Sequence, residues 1–410
     1  MLISRRLDGA WRAQEKAGSQ LFRSCLMRIA VLAAPFAFVA FALLAACERE
    51  PAEAPAPAAP VPAANVTVSD ELPGLTASAT GIAFWEHPTL PFSSLLIVAN
   101  QDGVASYNIE DGNEVSKIPG INARGASVSY LGRGPQAAGV LAIYDADESA
   151  FKFYGVGNAS RSFLPIEGGP VIRGNVRGFC FGRASDSAAP TLFVVQKAEL
   201  LIFNFEQADS GLALAGETTL PTPDDMAACA VDIDGVVLGL SESGAIYRVD
   251  GDGSFKKPFA RAPLSNAGNA VIFAFEQDET SNDSDSEETV SGQIALLDKD
   301  SGALHIFDRA DGRALGVVTI VATDEIEGVT AASAMGATGG NLGSLYRSGA
   351  IAFGVDGAAD GENGAVIRLA PVSGVLNALS LQQGDVISPR GAAPEEEDNN
   401  LIIDIEFNPQ

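Results

Sequence analysis

Glu325 and Glu327 are the residues of this chain whose type and spacing point most directly to chemistry. Side chains two apart share one face of a strand. Two carboxylates held side by side repel each other unless a cation lies between them, and hard oxygen donors suit calcium. Asp232, Glu242 and Asp356 are further carboxylates whose local sequence gives each another reading. Asp232 and Asp356 also stand beside turn sequences, where aspartate caps backbone groups whatever the function. Glu242 has the alternative of simply facing solvent. Lys197 is the candidate cation for a phosphate group, or else the partner of Glu199. Only His87 and His305 are present and no G-x-S-x-G segment occurs, which argues against a histidine-rich zinc site and a serine triad.

Six similar stretches must position these groups: Leu95–Ile109, Val140–Tyr154, Leu192–Phe205, Val236–Val249, Gln293–Phe307 and Ala350–Leu369. Each runs from a β-branched or aromatic segment through a turn into an alternating segment, the pattern of a hairpin. Their starts recur at about 44–57 residues, the length of a four-stranded propeller blade. Turn pairs such as Asp102-Gly103 and Asp356-Gly357 punctuate them, and no long helical period intervenes. The expected fold is all-β, a six-bladed β-propeller of four-stranded antiparallel blades. The acidic run Gln277–Thr289, which has no apolar residue, reads as a solvated loop, and Glu395–Asp398 as an acidic turn. Either Leu401–Phe407 or Val66–Ser69 is expected to complete a blade and latch the ring.

The N-terminal part reads differently. A cationic start at Met27-Arg28, the apolar run Ile29–Leu44 and the segment Leu44-Ala45-Ala46-Cys47 form a lipoprotein export signal, with Cys47 as the lipidated residue. A single membrane-spanning anchor is the alternative, for which the run is short. Residues 1–47 are thus assigned to export, 48–64 to a Pro/Ala-rich tether and 65–410 to the propeller. Glu48 after the cysteine favours the outer membrane, facing periplasm or cell surface. The whole chain carries a net charge of −26, and the export segment is itself basic, so the body is more acidic still. Such a surface repels nucleic acid. Cys180 and Cys229, each in an apolar strand, form either a disulfide or two buried thiols.

Several short segments, in order, resemble those of the β-propeller phytases, over about Ala79 to Leu379. Ala83-Phe84-Trp85-Glu86-His87-Pro88 resembles that family's Ala-Ile-Trp-x-His-Pro, and Asn100-Gln101-Asp102-Gly103 its Asn-Lys-Asp-Gly. Arg177-Gly178-Phe179-Cys180 stands where the family has Tyr-Gly-Leu-Cys. Cys229–Asp232 with Ser241–Tyr247, Glu325-Ile326-Glu327-Gly328, and Val355-Asp356-Gly357 resemble further markers.

The resemblance implies a calcium-dependent phosphoric monoester hydrolase acting on myo-inositol hexakisphosphate or a similar small phosphoester, working as a monomer. Calcium would be held by Glu325, Glu327, Asp232, Glu242 and Asp356, and Glu327 and Lys197 would carry the catalysis. The chain departs from the family at Thr80 and Gly81, which replace paired aspartates, and at Ala198, Ala227, Gln101 and Arg177. The departures imply weak or altered turnover. The alternative is a non-catalytic, membrane-tethered propeller that binds a ligand or an envelope protein.

Overall fold

The computed structural model describes residues 61–183, 187–208, 211–249, 253–277, 289–357 and 364–391. The export segment, nearly all of the tether, most of Gln277–Thr289, Glu395–Asp398 and Leu401–Phe407 lie outside the described residues. Two strands open the body, β1 (Ala63–Thr67) and β2 (Asp70–Leu75). Blade one follows as β3 (Gly81–Trp85), β4 (Leu95–Asn100), β5 (Gly103–Asn108) and β6 (Glu114–Pro119). Blade two is β7 (Ala123–Leu131), β8 (Ala138–Asp145), β9 (Ala150–Val156) and β10 (Phe163–Ile166). Blade three is β11 (Gly178–Gly182), β12 (Thr191–Val195), β13 (Glu199–Ala208) and β14 (Gly211–Pro221). Blade four is β15 (Met226–Val231), β16 (Val237–Ser241), β17 (Ala245–Arg248) and β18 (Ala260–Arg261). Blade five is β19 (Ala267–Gln277), β20 (Thr289–Asp298), β21 (Leu304–Asp308) and β22 (Ala314–Val321). Blade six takes β23 (Ala334–Thr338), β24 (Ala350–Asp356) and β25 (Ala365–Pro371); α1 (Val372–Ala378) and β26 (Asp385–Val386) follow it in the chain.

The innermost strands β3, β7, β11, β15, β19 and β23 pack each on the next, and β23 returns to β3. The chain is a six-bladed β-propeller. Its six hairpin sequences form the second and third strands of the six blades. Those second strands are buried on both faces between neighbouring blades. Hence Leu95–Ala99 and Ala138–Asp145 read as continuous apolar runs rather than alternating ones. The outermost strands carry the alternation and exposure, as in β14. One apolar cluster fills each seam. Trp85, Leu95, Tyr130 and Leu141 lie between blades one and two. Phe151, Phe153, Phe181 and Phe205 lie between two and three, with Phe153 and Phe205 edge to face at 5.2 Å. Gly139 has no side chain because Trp85 occupies the space: a Cβ there would stand 2.2 Å from the indole nitrogen.

The latch falls one element away from the expected one. β2, immediately after Val66–Ser69, supplies the outer strand of blade six by pairing antiparallel with β25. Val66 belongs to β1, which adds a parallel fifth strand outside β22. β26 pairs with the opposite, inner edge of the same sheet, on β19. Among the described residues no helix is long and apolar enough to cross a membrane.

Candidate functional site

All six inner strands line a central cavity of about 290 Å³. The face where inner strands begin is termed upper, and the face where they end lower. Thr80, Arg124, Arg177, Lys197, Asp225 and Glu242 stand at upper strand ends or turns. Glu86, Asp232, Thr338 and residues 385–391 stand at the lower end.

Each seam of the ring has its own fastening. Between blades one and two, the Thr80 hydroxyl donates to the Ala123 carbonyl at 2.7 Å and accepts from the Gly125 amide at 3.4 Å. Between two and three, Ser127 Oγ accepts from the Phe181 amide at 3.1 Å. Between three and four, Cys180 and Cys229 form a disulfide with Cα atoms 5.6 Å apart, which decides between the two options left by the sequence. Between four and five, Arg309 Nε donates to Asp232 Oδ1 at 2.8 Å and its Nη2 to Asp234 at 3.3 Å. Between five and six, Asn269 Oδ1 accepts from the Met335 amide at 3.1 Å. Thr338 on blade six donates to the Glu86 carboxylate on blade one.

The acids singled out from the sequence take separate places. Asp232 is buried at the lower end; burial pushes its pKa up, while Arg309 opposes that shift. Glu242, at the upper rim, accepts from Arg177. Asp356 is exposed at the end of β24. Glu325 and Glu327 do not share a strand face, because residues 322–333 form the loop joining β22 to β23. Thr323 shapes it by accepting from the Ile326 amide at 3.0 Å. Glu327 leans away to Arg368 Nη2 at 3.3 Å, on the third strand of blade six. Among the described residues no three His, Cys, Asp or Glu side chains converge as a metal cage. Asp232 at the lower end and Glu242 at the upper rim stand at opposite ends of the shaft, so the structure does not gather the five acids at one place. Lys197 contacts Asp225 at 3.5 Å rather than Glu199. His87 and Trp85 pack edge to face at 5.5 Å, and His87 Nδ1 accepts from the Thr89 and Leu90 amides.

The upper rim of blades two to four collects cations instead. Arg124 is the second residue of β7, Arg177 precedes β11, and Lys197 sits in the β12–β13 turn. The Arg173 carbonyl accepts from the side chain of Gln196, next to Lys197, at 2.9 Å. Arg124 and Arg173 are exposed, and neither has an ion pair among the described residues. Beside them, Asp224 is held below the usual carboxylate range, chiefly by the Ser243 hydroxyl at 2.9 Å. Gly244 in that turn has φ +78°, and a Cβ would meet the Ala262 carbonyl at 2.1 Å, so only glycine fits.

No family model matches the chain, and no curated protein matches it. Solved structures similar to it include U3-55K (12% identity, TM-score 0.44, 74% of this chain and 99% of that one). The WD40 repeats of RRP9 match at 13% identity and TM-score 0.45, over 74% of this chain and 98% of that one. BBS1N, solved in complex with ARL6DN, matches at 10% identity and TM-score 0.43, over 75% and 98%.

Proposed function

We propose that this propeller is a binding protein whose upper mouth takes a small polyanion, such as a phosphorylated inositol, and holds it without hydrolysis. The observation that carries this reading is the placing of Arg124 and Arg173, both exposed and without an ion pair among the described residues, on one rim beside Arg177 and Lys197, which pair with Glu242 and Asp225, in a chain of net charge −26. Guanidinium forks match phosphate oxygens in pairs, and a lysine adds a point charge. The carboxylates that hydrolysis through calcium would require are dispersed. Asp232, Glu242 and Glu327 are each engaged by an arginine.

The same reading keeps the export signal, with Cys47 as lipid anchor and the body held off a membrane as a monomer. Those residues lie outside the described ones. The Cys180–Cys229 disulfide supports it, since such bonds persist in oxidising compartments.

Titration calorimetry of the full chain with myo-inositol hexakisphosphate, with and without calcium, tests the proposal while released phosphate is assayed in parallel. Binding without release is expected, weakened at least tenfold by Arg124→Ser with Arg173→Ser. Calcium-dependent release would restore the hydrolytic reading, and the absence of binding would refute the anion site.

A further inference from the structure

Residues 385–391 cross the lower mouth of the shaft from one side of the ring to the other. β26 adds to the free inner edge of β19 through Val386 opposite Phe275, and the Ile387 amide donates to the Ala274 carbonyl at 3.3 Å. Val386, Ile387 and Pro389 face the cavity. Across the mouth, the Gly134 amide of blade two donates to the Arg390 carbonyl at 2.9 Å. Arg183, at the end of the inner strand of blade three, donates to the carbonyls of Pro389 and Arg390.

The side chain of Arg390 is enclosed. Its guanidinium lies over the Tyr130 ring at 4.3 Å and beside the Trp85 ring at 5.8 Å. Its two terminal nitrogens donate to the Ala137 and Glu86 carbonyls, and 4% of the residue is exposed. Arg390 makes no ion pair among the described residues. Ring faces and carbonyls in this arrangement read the planar fork of a guanidinium; a lysine would satisfy one carbonyl and lose the stacking.

We propose that the lower mouth is a recognition site for an extended segment bearing an arginine, filled in this chain by its own residues 385–391. The two recognition elements are those by which a sheet captures a peptide: pairing on an open strand edge, and a side-chain pocket beyond it. Filled in cis, the site closes the lower end of the shaft and leaves the upper mouth as the way in. A segment from another chain with the same spacing of edge-pairing residues and arginine would compete for it.

Trp85 reports on the site directly. The chain has two tryptophans, Trp11 and Trp85, so in a full chain carrying Trp11→Phe the emission comes from Trp85 alone. Trp85 is fully buried, and acrylamide quenching is expected to be weak. Arg390→Ala should raise the quenching constant several-fold. Adding the blocked peptide Asp-Val-Ile-Ser-Pro-Arg-Gly to that variant should restore protection, whereas a peptide with lysine or alanine in place of arginine should not. Unchanged quenching in the Arg390→Ala chain, or equal protection by the lysine peptide, would overturn the proposal. A second measurement needs no variant. In the unaltered chain the Ile387 amide should exchange with solvent at least tenfold faster than the β19 amides. Equal rates would mean that the segment is a fixed part of the fold, and the proposal would fail.

Discussion

The disulfide between Cys180 and Cys229 is expected to contribute a large share of the stability of the ring. It joins the inner strands of blades three and four, and its cysteines are 49 residues apart in sequence. Closing a loop of ~50 residues in the unfolded chain removes about 14 cal/mol/K, or about 4 kcal/mol at 25 °C. Each buried sulfur also packs in the seam cluster, and truncating one to alanine adds about 1 kcal/mol. The bond and the packing separate in a double-mutant cycle, in a background carrying Cys25→Ser and Cys47→Ser so that no other thiol exchanges. Cys180→Ala or Cys229→Ala alone should each lower the unfolding free energy in urea by about 4–5 kcal/mol. The double variant should lose about 1 kcal/mol more than either, since the bond is lost only once. Two small single losses that merely add in the double variant would refute the reasoning, leaving packing as all that these residues contribute.

Two further perturbations probe the other buried polar groups. Asp232→Asn removes the buried counter-charge of Arg309 and leaves it only the half-exposed Asp234, and should cost about 3 kcal/mol in urea unfolding. Asp232→Leu combined with Arg309→Met should recover most of that, and a single-variant loss below about 1 kcal/mol would show that apolar packing alone holds the seam. His305 is buried in β21, and burial pulls its pKa below the ordinary 6.5. The unfolded chain therefore takes up its proton first as pH falls. The stabilisation is complete above 6.5 and is lost on acidification toward the lowered folded value. Between pH 7 and 5 the unmodified chain should lose more stability than His305→Leu, and parallel pH profiles would refute this.

The architecture was legible because blade hairpins impose a pattern that local sequence carries. Both faces of each second strand are covered, so runs such as Leu95–Ala99 announce themselves without reference to distant residues. The closing strand was harder, since β2 pairs with β25 at the far end of the chain and its own six residues include a proline and a glycine. The shared strand face expected of Glu325 and Glu327 is absent, because spacing alone does not distinguish a strand from an irregular loop. The Asp324 before them and Gly328 after them are the breakers that would have signalled one. Asp232 matched a marker motif, yet its partner Arg309 is 77 residues away. The lower-mouth placement of Arg390 had no local signal at all, because its cage is assembled from the inner strands of blades one and two and the connections that follow them.

The pairing of β2 with β25 has a consequence for how the protein is made. The Ser69 hydroxyl reaches the Leu369 carbonyl across 300 residues of sequence. At about 5–20 residues per second, a ribosome takes about 15–60 s to supply the later strand. Throughout that interval β2 has no partner, and the last blade, once made, offers an edge that the same strand of a neighbouring nascent chain fits equally well. Crowded synthesis would thus favour exchange of this strand between copies, yielding linked dimers with otherwise native blades.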